Sequence, residues 1–366
     1  MSAARARGGC ARHALVLGAL CLLALGLVVG RYHDVFGLAY RNTGAMGEGA
    51  EEARALRTPE DLLAWMARHP ERASLVVLDL GEPARDLRFR ADAERAVVGL
   101  PMLWTLAEAA RRGATTPPGT DTLAALALPV RRERAPGAAP PPPASGDTRR
   151  ALVRARDEVA DALLLRFGAE TVAALPAALG LRAEGPLPMA GLFMTWDAAA
   201  EPESREAVRA AAVAHAARLV ADPAARAAVH SRFRAEGLRL DLPAQRARAA
   251  ATLPRGTAEA YAHLLARALT DSLFSPAASA AFRGALERKL PDGGHAAAVS
   301  RAFPGHLAFA GYVRLEGAAP RVAVLVLEDV PMAVFYHLSR TGLDAGLALQ
   351  LLTEADYLEA VRGRLP

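Results

Sequence analysis

The chain has 366 residues, 52% of them hydrophobic, which is enough apolar material for a large core and excludes disorder throughout. A formal charge of +5 and a sequence pI near 9.7 do not make a nucleic-acid footprint, because the basic residues are spread along amphipathic segments and form no stripe. Lys289 is the only lysine among 44 Lys and Arg residues, so chemistry that needs a neutral amine has one possible seat, arginine being protonated at any working pH.

Residues 1–13 carry Arg5, Arg7 and Arg12 and read as a cytoplasmic N-terminus ahead of an apolar run, Ala14 to Gly30. That run is at the short end of a membrane span, for which about 17 to 25 residues are needed, and longer than the roughly 7 to 15 of a signal-peptide core. An uncleaved anchor is the favoured reading, with the following domain on the outer, periplasmic side of the inner membrane. Small residues at Ala24, Gly26 and Gly30 leave cleavage and secretion as the alternative. The only cysteines, Cys10 and Cys21, precede or lie inside this run, so the exported part has no disulfide, thiol nucleophile or Cys-based zinc site.

Residues 31–56 read as a tether, the stretch from Asn42 onward being small and polar. The folded part is expected over 57–366. Thr58-Pro59-Glu60-Asp61 supplies a cap, a first-turn proline and acid near the positive end of the helix dipole, opening a helix. Ala73 to Gly81 and Leu87 to Arg90 read as strands separated by a turn. Pro101 to Arg112 is helical by periodicity, as is Thr148 to Gly168. The loop between them, about 135–147, contains Pro140 to Pro143 and favours an extended, exposed conformation. Glu201 to Leu290 is Ala-, Arg- and Leu-rich at helical spacing and broken at Pro223, Pro243, Pro254 and Pro276, so the helical part spans about 101–290. Two late strands, from His306 and from Arg321, precede a closing helix. Early and late strands pairing in one mixed sheet around a helical insert is the α/β arrangement this order predicts.

Several stretches in the same order resemble the penicillin-recognising serine hydrolases, that is, class A β-lactamases, DD-peptidases and β-lactamase-related serine hydrolases. Thr58 to Gly81 and Arg88 to Met102 look like the family's first helix, hairpin and approach to the nucleophile. Asp157 to Glu170 looks like the helix after its second motif. Gly191 to Asp197, GLFMTWD, resembles a segment of the serine-hydrolase subgroup, and Gly256 to Leu269 with Ser275 to Glu287 looks like the helices before the third motif. The resemblance implies a mostly antiparallel sheet flanked by helices, with a helical subdomain.

It also implies an S-x-x-K motif, in which a serine at a helix start attacks a carbonyl and a lysine one turn later takes its proton. Gly99 falls at the serine position and Met102 at the lysine position. The S-D-N motif falls on Ala155, Arg156 and Asp157, and the lysine-led strand motif on Val299, Ser300, Arg301 and Ala302. The lysine count tests this independently of register: the family reaction uses two lysines, this chain has one, and Leu286 stands three residues before Lys289, so no S-x-x-K occurs anywhere. No catalytic residues are therefore expected. Losing nucleophile and base together removes most of the acceleration, since such groups act as a unit.

No G-x-S-x-G elbow and no G-x-x-x-x-G-K-[ST] loop occurs. His215, His230 and His263 lie in the helical middle without ligand spacing, and no metal or cofactor is expected. Asp157 and Arg301 remain as candidates for holding a ligand in an altered cleft, with a solvated strand-end arginine as the plainer reading of Arg301. The expected function is a membrane-anchored, non-catalytic binding or assembly module near the cell wall, with a cell-wall or protein partner. The alternative is a hydrolase of β-lactam, peptidoglycan or other ester and amide substrates with a non-standard site, assembled around Asp157 and Ser300.

Overall fold

The computed structural model describes residues 43–45, 47–114, 118–128, 157–198, 204–291 and 293–365. The apolar run at 14–30, the proline-rich loop at 135–147, and Ala155 and Arg156 lie outside the described residues. Among the described residues no helix is long and apolar enough to cross a membrane.

In chain order, α1 (Ala50–Ala55) and α2 (Pro59–Arg68) precede β1 (Ala73–Asp79), β2 (Leu87–Phe89) and the short β3 (Arg95–Ala96). Then come α3 (Met102–Arg111), α4 (Thr120–Leu126), α5 (Asp157–Phe167), α6 (Ala169–Ala173), α7 (Leu175–Ala178) and α8 (Met189–Asp197). The helical middle continues through α9 (Arg205–Ala221), α10 (Pro223–Glu236) and α11 (Leu242–Thr252), is interrupted by β4 (Arg255–Gly256), and ends with α12 (Ala258–Leu269) and α13 (Pro276–Leu286). The edge strand β5 (Arg288–Lys289) leads to β6 (His295–Phe303), β7 (His306–Arg314) and β8 (Arg321–Leu327). Three helices close the chain: α14 (Met332–Thr341), α15 (Leu343–Thr353) and α16 (Ala355–Arg362).

The main sheet runs β2-β1-β8-β7-β6-β5, and every pairing in it is antiparallel. Early and late strands do meet, β1 against β8 from Ala73↔Leu327 to Asp79↔Arg321. The sheet is antiparallel, as the resemblance implies, and not mixed as the element order alone suggests. β1 is buried along its whole length because helices cover both faces. Alternation of side chains along a strand sends Val76, Leu78, Val322 and Val324 toward α3, α5 and α12, and Leu75, Val77, Ala323 and Leu325 toward α2, α14 and α15. Each fully buried aliphatic side chain contributes roughly 1.5–3 kcal/mol, so a one-residue slip of β1 or β8 exchanges both sets at once and is strongly disfavoured.

Local chemistry sets the helix starts. Thr58 and Asp61 form a reciprocal capping box, with Pro59 in the first turn. Ser204, Asp222, Asp241 and Ser275 each accept a backbone N–H from the first turn that follows. Pro223, Pro243 and Pro276 accordingly open helices rather than break them.

Three sequence expectations need correction. The tether at 31–56 does not hold to its end: Ala50–Ala55 is helical, Ala53 and Leu56 are buried, and Trp65 Nε1 donates to Glu52 Oε2 at 2.5 Å. Ala, Glu and Arg are strong helix formers, and Ala53 and Leu56 at i, i+3 give the segment an inward face. The helical part at about 101–290 contains β4, which pairs with β3 through Ala96↔Arg255. The closing helix is three helices, the first break being at Gly342, which adopts φ 65°.

Candidate functional site

The chain reaches α3 through Val97-Val98-Gly99-Leu100-Pro101. Gly99 has φ 68°, in the left-handed region that glycine enters without a Cβ penalty. The Met102 N–H donates to the Gly99 carbonyl at 3.3 Å and the Leu103 N–H to that of Leu100 at 2.9 Å, so the helix starts tightly wound. Leu100, Leu103 and Trp104 turn into the core, where Trp104 Nε1 donates to the Tyr261 hydroxyl at 3.3 Å. Gly99, Pro101, Met102 and Thr105 are left on the opposite side, lining a cleft.

β6 crosses in front of this turn. Ala297, Val299 and Phe303 belong to the apolar layer that includes Met102, and by strand alternation Arg301 shares their face. A Cβ on Gly99 would lie 2.1 Å from Arg301 Cγ and 2.7 Å from Cδ, so the arginine stem fills the space of the missing side chain. Its guanidinium Nη2 reaches Met102 Sδ at 3.2 Å and Asp157 Oδ1 at 3.5 Å. The Arg301 side chain is only 12% exposed, against 49% for Asp157.

Opposite α3, one face of α5 presents Asp157, Ala160, Asp161 and Leu164, the i, i+3, i+4, i+7 set of a helix. Pro186, Leu187 and Met189 close a third side and Leu253 and Pro254 a fourth, around an open cleft of ≈ 430 Å³ with open solvent included. Asp161 is 2% exposed, and its two oxygens accept the Met189 and Ala190 N–H groups, each at 2.8 Å. Burial raises its carboxyl well above the ordinary range; those two N–H groups oppose the shift and the Asp157 charge adds to it. The Thr105 hydroxyl on α3 is fully buried and has no hydrogen-bond partner among the described residues.

Gly99, Met102, Asp157 and Arg301, singled out in the sequence, therefore come together at one place. Arg301 is not a solvated strand-end residue: parity along β6 turns its stem over Gly99 and its guanidinium into the Met102–Asp157 gap. Val299 is buried in the core. Ser300 is exposed and Ala302 packs among the apolar residues of the other sheet face, both pointing away from Arg301. The non-standard site built on Asp157 and Ser300 does not assemble, because adjacent strand residues face opposite ways. Lys289 sits exposed on edge strand β5, outside the cleft lining.

Among the described residues no group of three His, Cys, Asp or Glu side chains is placed to hold a metal. His230 Nε2 lies 2.9 Å from the Ala125 carbonyl oxygen, and His263 is half-exposed beside Glu259. Sequence reasoning misses Asp161 and Thr105 as site residues. Their only signals are spacings, Asp161 four residues after Asp157 and Thr105 three after Met102, which put each pair on one helix face.

No family model matches the chain, and no curated protein matches it. Among solved structures it is similar to a β-lactamase from Sphaerobacter thermophilus, at 14% identity and a TM-score of 0.46 over 79% of this chain and 96% of that one. It is also similar to a class A β-lactamase from Mycobacterium abscessus, at 12% identity and 0.47 over 80% and 98%. A third is PBP-A, solved as an acyl-enzyme complex with penicillin G, at 13% identity and 0.44 over 79% and 95%. At these identities and TM-scores the likeness attaches no role to any residue.

Proposed function

We propose that this chain carries a β-lactamase-like domain without catalytic activity, held at the membrane by its N-terminal apolar run, whose cleft serves binding or assembly near the cell wall. The single observation that carries the non-catalytic reading is the filling of the nucleophile position. Covalent catalysis needs a nucleophile with a base in hydrogen-bond reach. Gly99 has no side chain, and Arg301 Cγ occupies the place of its Cβ. Met102, one turn on, offers a thioether, a weak acceptor that takes no proton at neutral pH. The one lysine of the chain stands on an exposed sheet edge.

Turnover of a chromogenic cephalosporin and of an activated ester tests this reading. The expected rates equal those of buffer. Turnover that scales with protein concentration and persists through repurification overturns it. Fractionation of cells producing the full chain, beside a version lacking residues 1–30, tests the anchor: the first is expected in the membrane pellet and the second in the soluble fraction.

A further inference from the structure

We infer that the cleft takes a compact ammonium ligand, a primary or secondary amine on a small apolar body. This rests on the non-catalytic reading of the same cleft and assigns its ligand class. The wall carries two carboxyl groups, Asp157 and Asp161, and no arginine or lysine among the described residues that line it. Around them the wall is hydrocarbon and thioether, with Met102, Leu164, Leu187 and Met189. Such a surface takes up an apolar body, with its few polar groups left to fix orientation. The Arg301 guanidinium already faces Asp157 and is not part of the lining. A carboxylate ligand would meet these two acids, with the Arg301 guanidinium already engaged by Asp157.

Two polar groups have capacity for a donor. Thr105 is completely buried in the wall, and its hydroxyl has no partner among the described residues. A buried hydroxyl in that state costs free energy that a ligand N–H recovers. Once ionised, Asp161 has on each oxygen, beside the backbone N–H that it accepts, a second lone pair. An ammonium brings up to three N–H donors to a lining that holds both acceptors.

The proton inventory supplies a signature. Burial, with Asp157 and Glu158 on its own helix, raises the Asp161 carboxyl well above the usual range; α8 contributes only backbone N–H groups, and β6 contributes the Arg301 guanidinium beside Asp157. A cation beside Asp161 stabilises its ionised form, so binding drives a proton off.

Calorimetric titration of the full chain with cyclohexylammonium, cyclohexanol and cyclohexanecarboxylate tests the inference. Only the ammonium is expected to saturate. In two buffers of different ionisation heat its binding should show a net release of protons. Asp161→Asn should abolish that release and weaken binding by about tenfold or more. Asp157→Asn, at a half-exposed position, should weaken it several-fold. Equal binding of cyclohexanol, preferential binding of the carboxylate, no binding of the ammonium, or ammonium binding indifferent to both substitutions overturns the inference. Should Asp161→Asn not fold, the three probes on the unaltered chain and Asp157→Asn decide. A β-lactam adduct would overturn the non-catalytic reading instead, and the two failures are read from different experiments.

Discussion

Gly99 and Arg301 share one volume: the Cβ that Gly99 lacks would lie 2.1 Å from Arg301 Cγ and 2.9 Å from its Cβ. The atoms in the way belong to the part of the stem nearest the β6 backbone, not to the mobile end of the side chain. Gly99 is held to glycine twice, by this contact and by its φ of 68°.

Gly99→Ser is therefore expected to destabilise the fold by roughly 2–4 kcal/mol, from a left-handed backbone and a crowded core contact. Denaturant unfolding measures it. Adding Arg301→Ala should relieve the steric part and leave the backbone part, so the two substitutions are non-additive. Additive costs would show that the side chains do not compete for one site.

Gly191→Ala opposes two effects. Alanine is preferred over glycine within a helix by about 1 kcal/mol. A Cβ at Gly191 on α8 would however lie 1.7 Å from the Ala212 carbonyl oxygen on α9, a backbone atom that cannot step aside alone. The clash wins, and a loss of roughly 1–3 kcal/mol is expected. A rise in melting temperature would contradict this close approach of the two helices.

Asp161 gives stability a dependence on pH. Its native pKa is raised, chiefly by burial, so the folded chain holds this proton more tightly than the unfolded one. The contribution is complete below the ordinary carboxyl range near pH ~4 and is lost as pH rises toward the native value. Unfolding free energies of the wild type minus those of Asp161→Asn, measured across that interval, should fall with rising pH. A flat difference would show that Asp161 titrates normally.

His306 acts at the other sign. The ring is fully buried, Nδ1 lies 2.9 Å from the Pro304 carbonyl oxygen and so carries the hydrogen, and burial lowers the native pKa. Below about pH 6.5 the unfolded chain takes up a proton that the folded chain resists, so stability falls as pH drops through that value. His306→Gln should flatten this acid limb. If the limb keeps its slope in the variant, another group is responsible.

Much of this was legible in the sequence, for reasons that differ residue by residue. The β-branched runs at 73–79 and 321–327 are buried on both faces, and the Thr58 and Asp61 cap acts within four residues, so both can be read locally. Gly99 and Met102 stand out because a motif position with the wrong chemistry is visible without coordinates. The placement of Arg301 was not, since whether residue 300 or 301 faces the cleft depends on strand parity fixed by β7 pairing, Arg301 opposite Ala308. Ala50–Ala55 is helical where composition suggests a tether, because small, polar composition does not distinguish a loop from an alanine–glutamate helix with one buried edge. Asp161 and Thr105 acquire their character only from burial, which a spacing cannot report.

The claim that the cleft holds without cleaving is tested most directly by intact-mass analysis of the full chain after prolonged incubation with benzylpenicillin. An unchanged mass is the predicted result, because the helix start presents no nucleophile and the following turn no base. A covalent adduct of the mass of the drug, mapped to any side chain of the cleft, would contradict it.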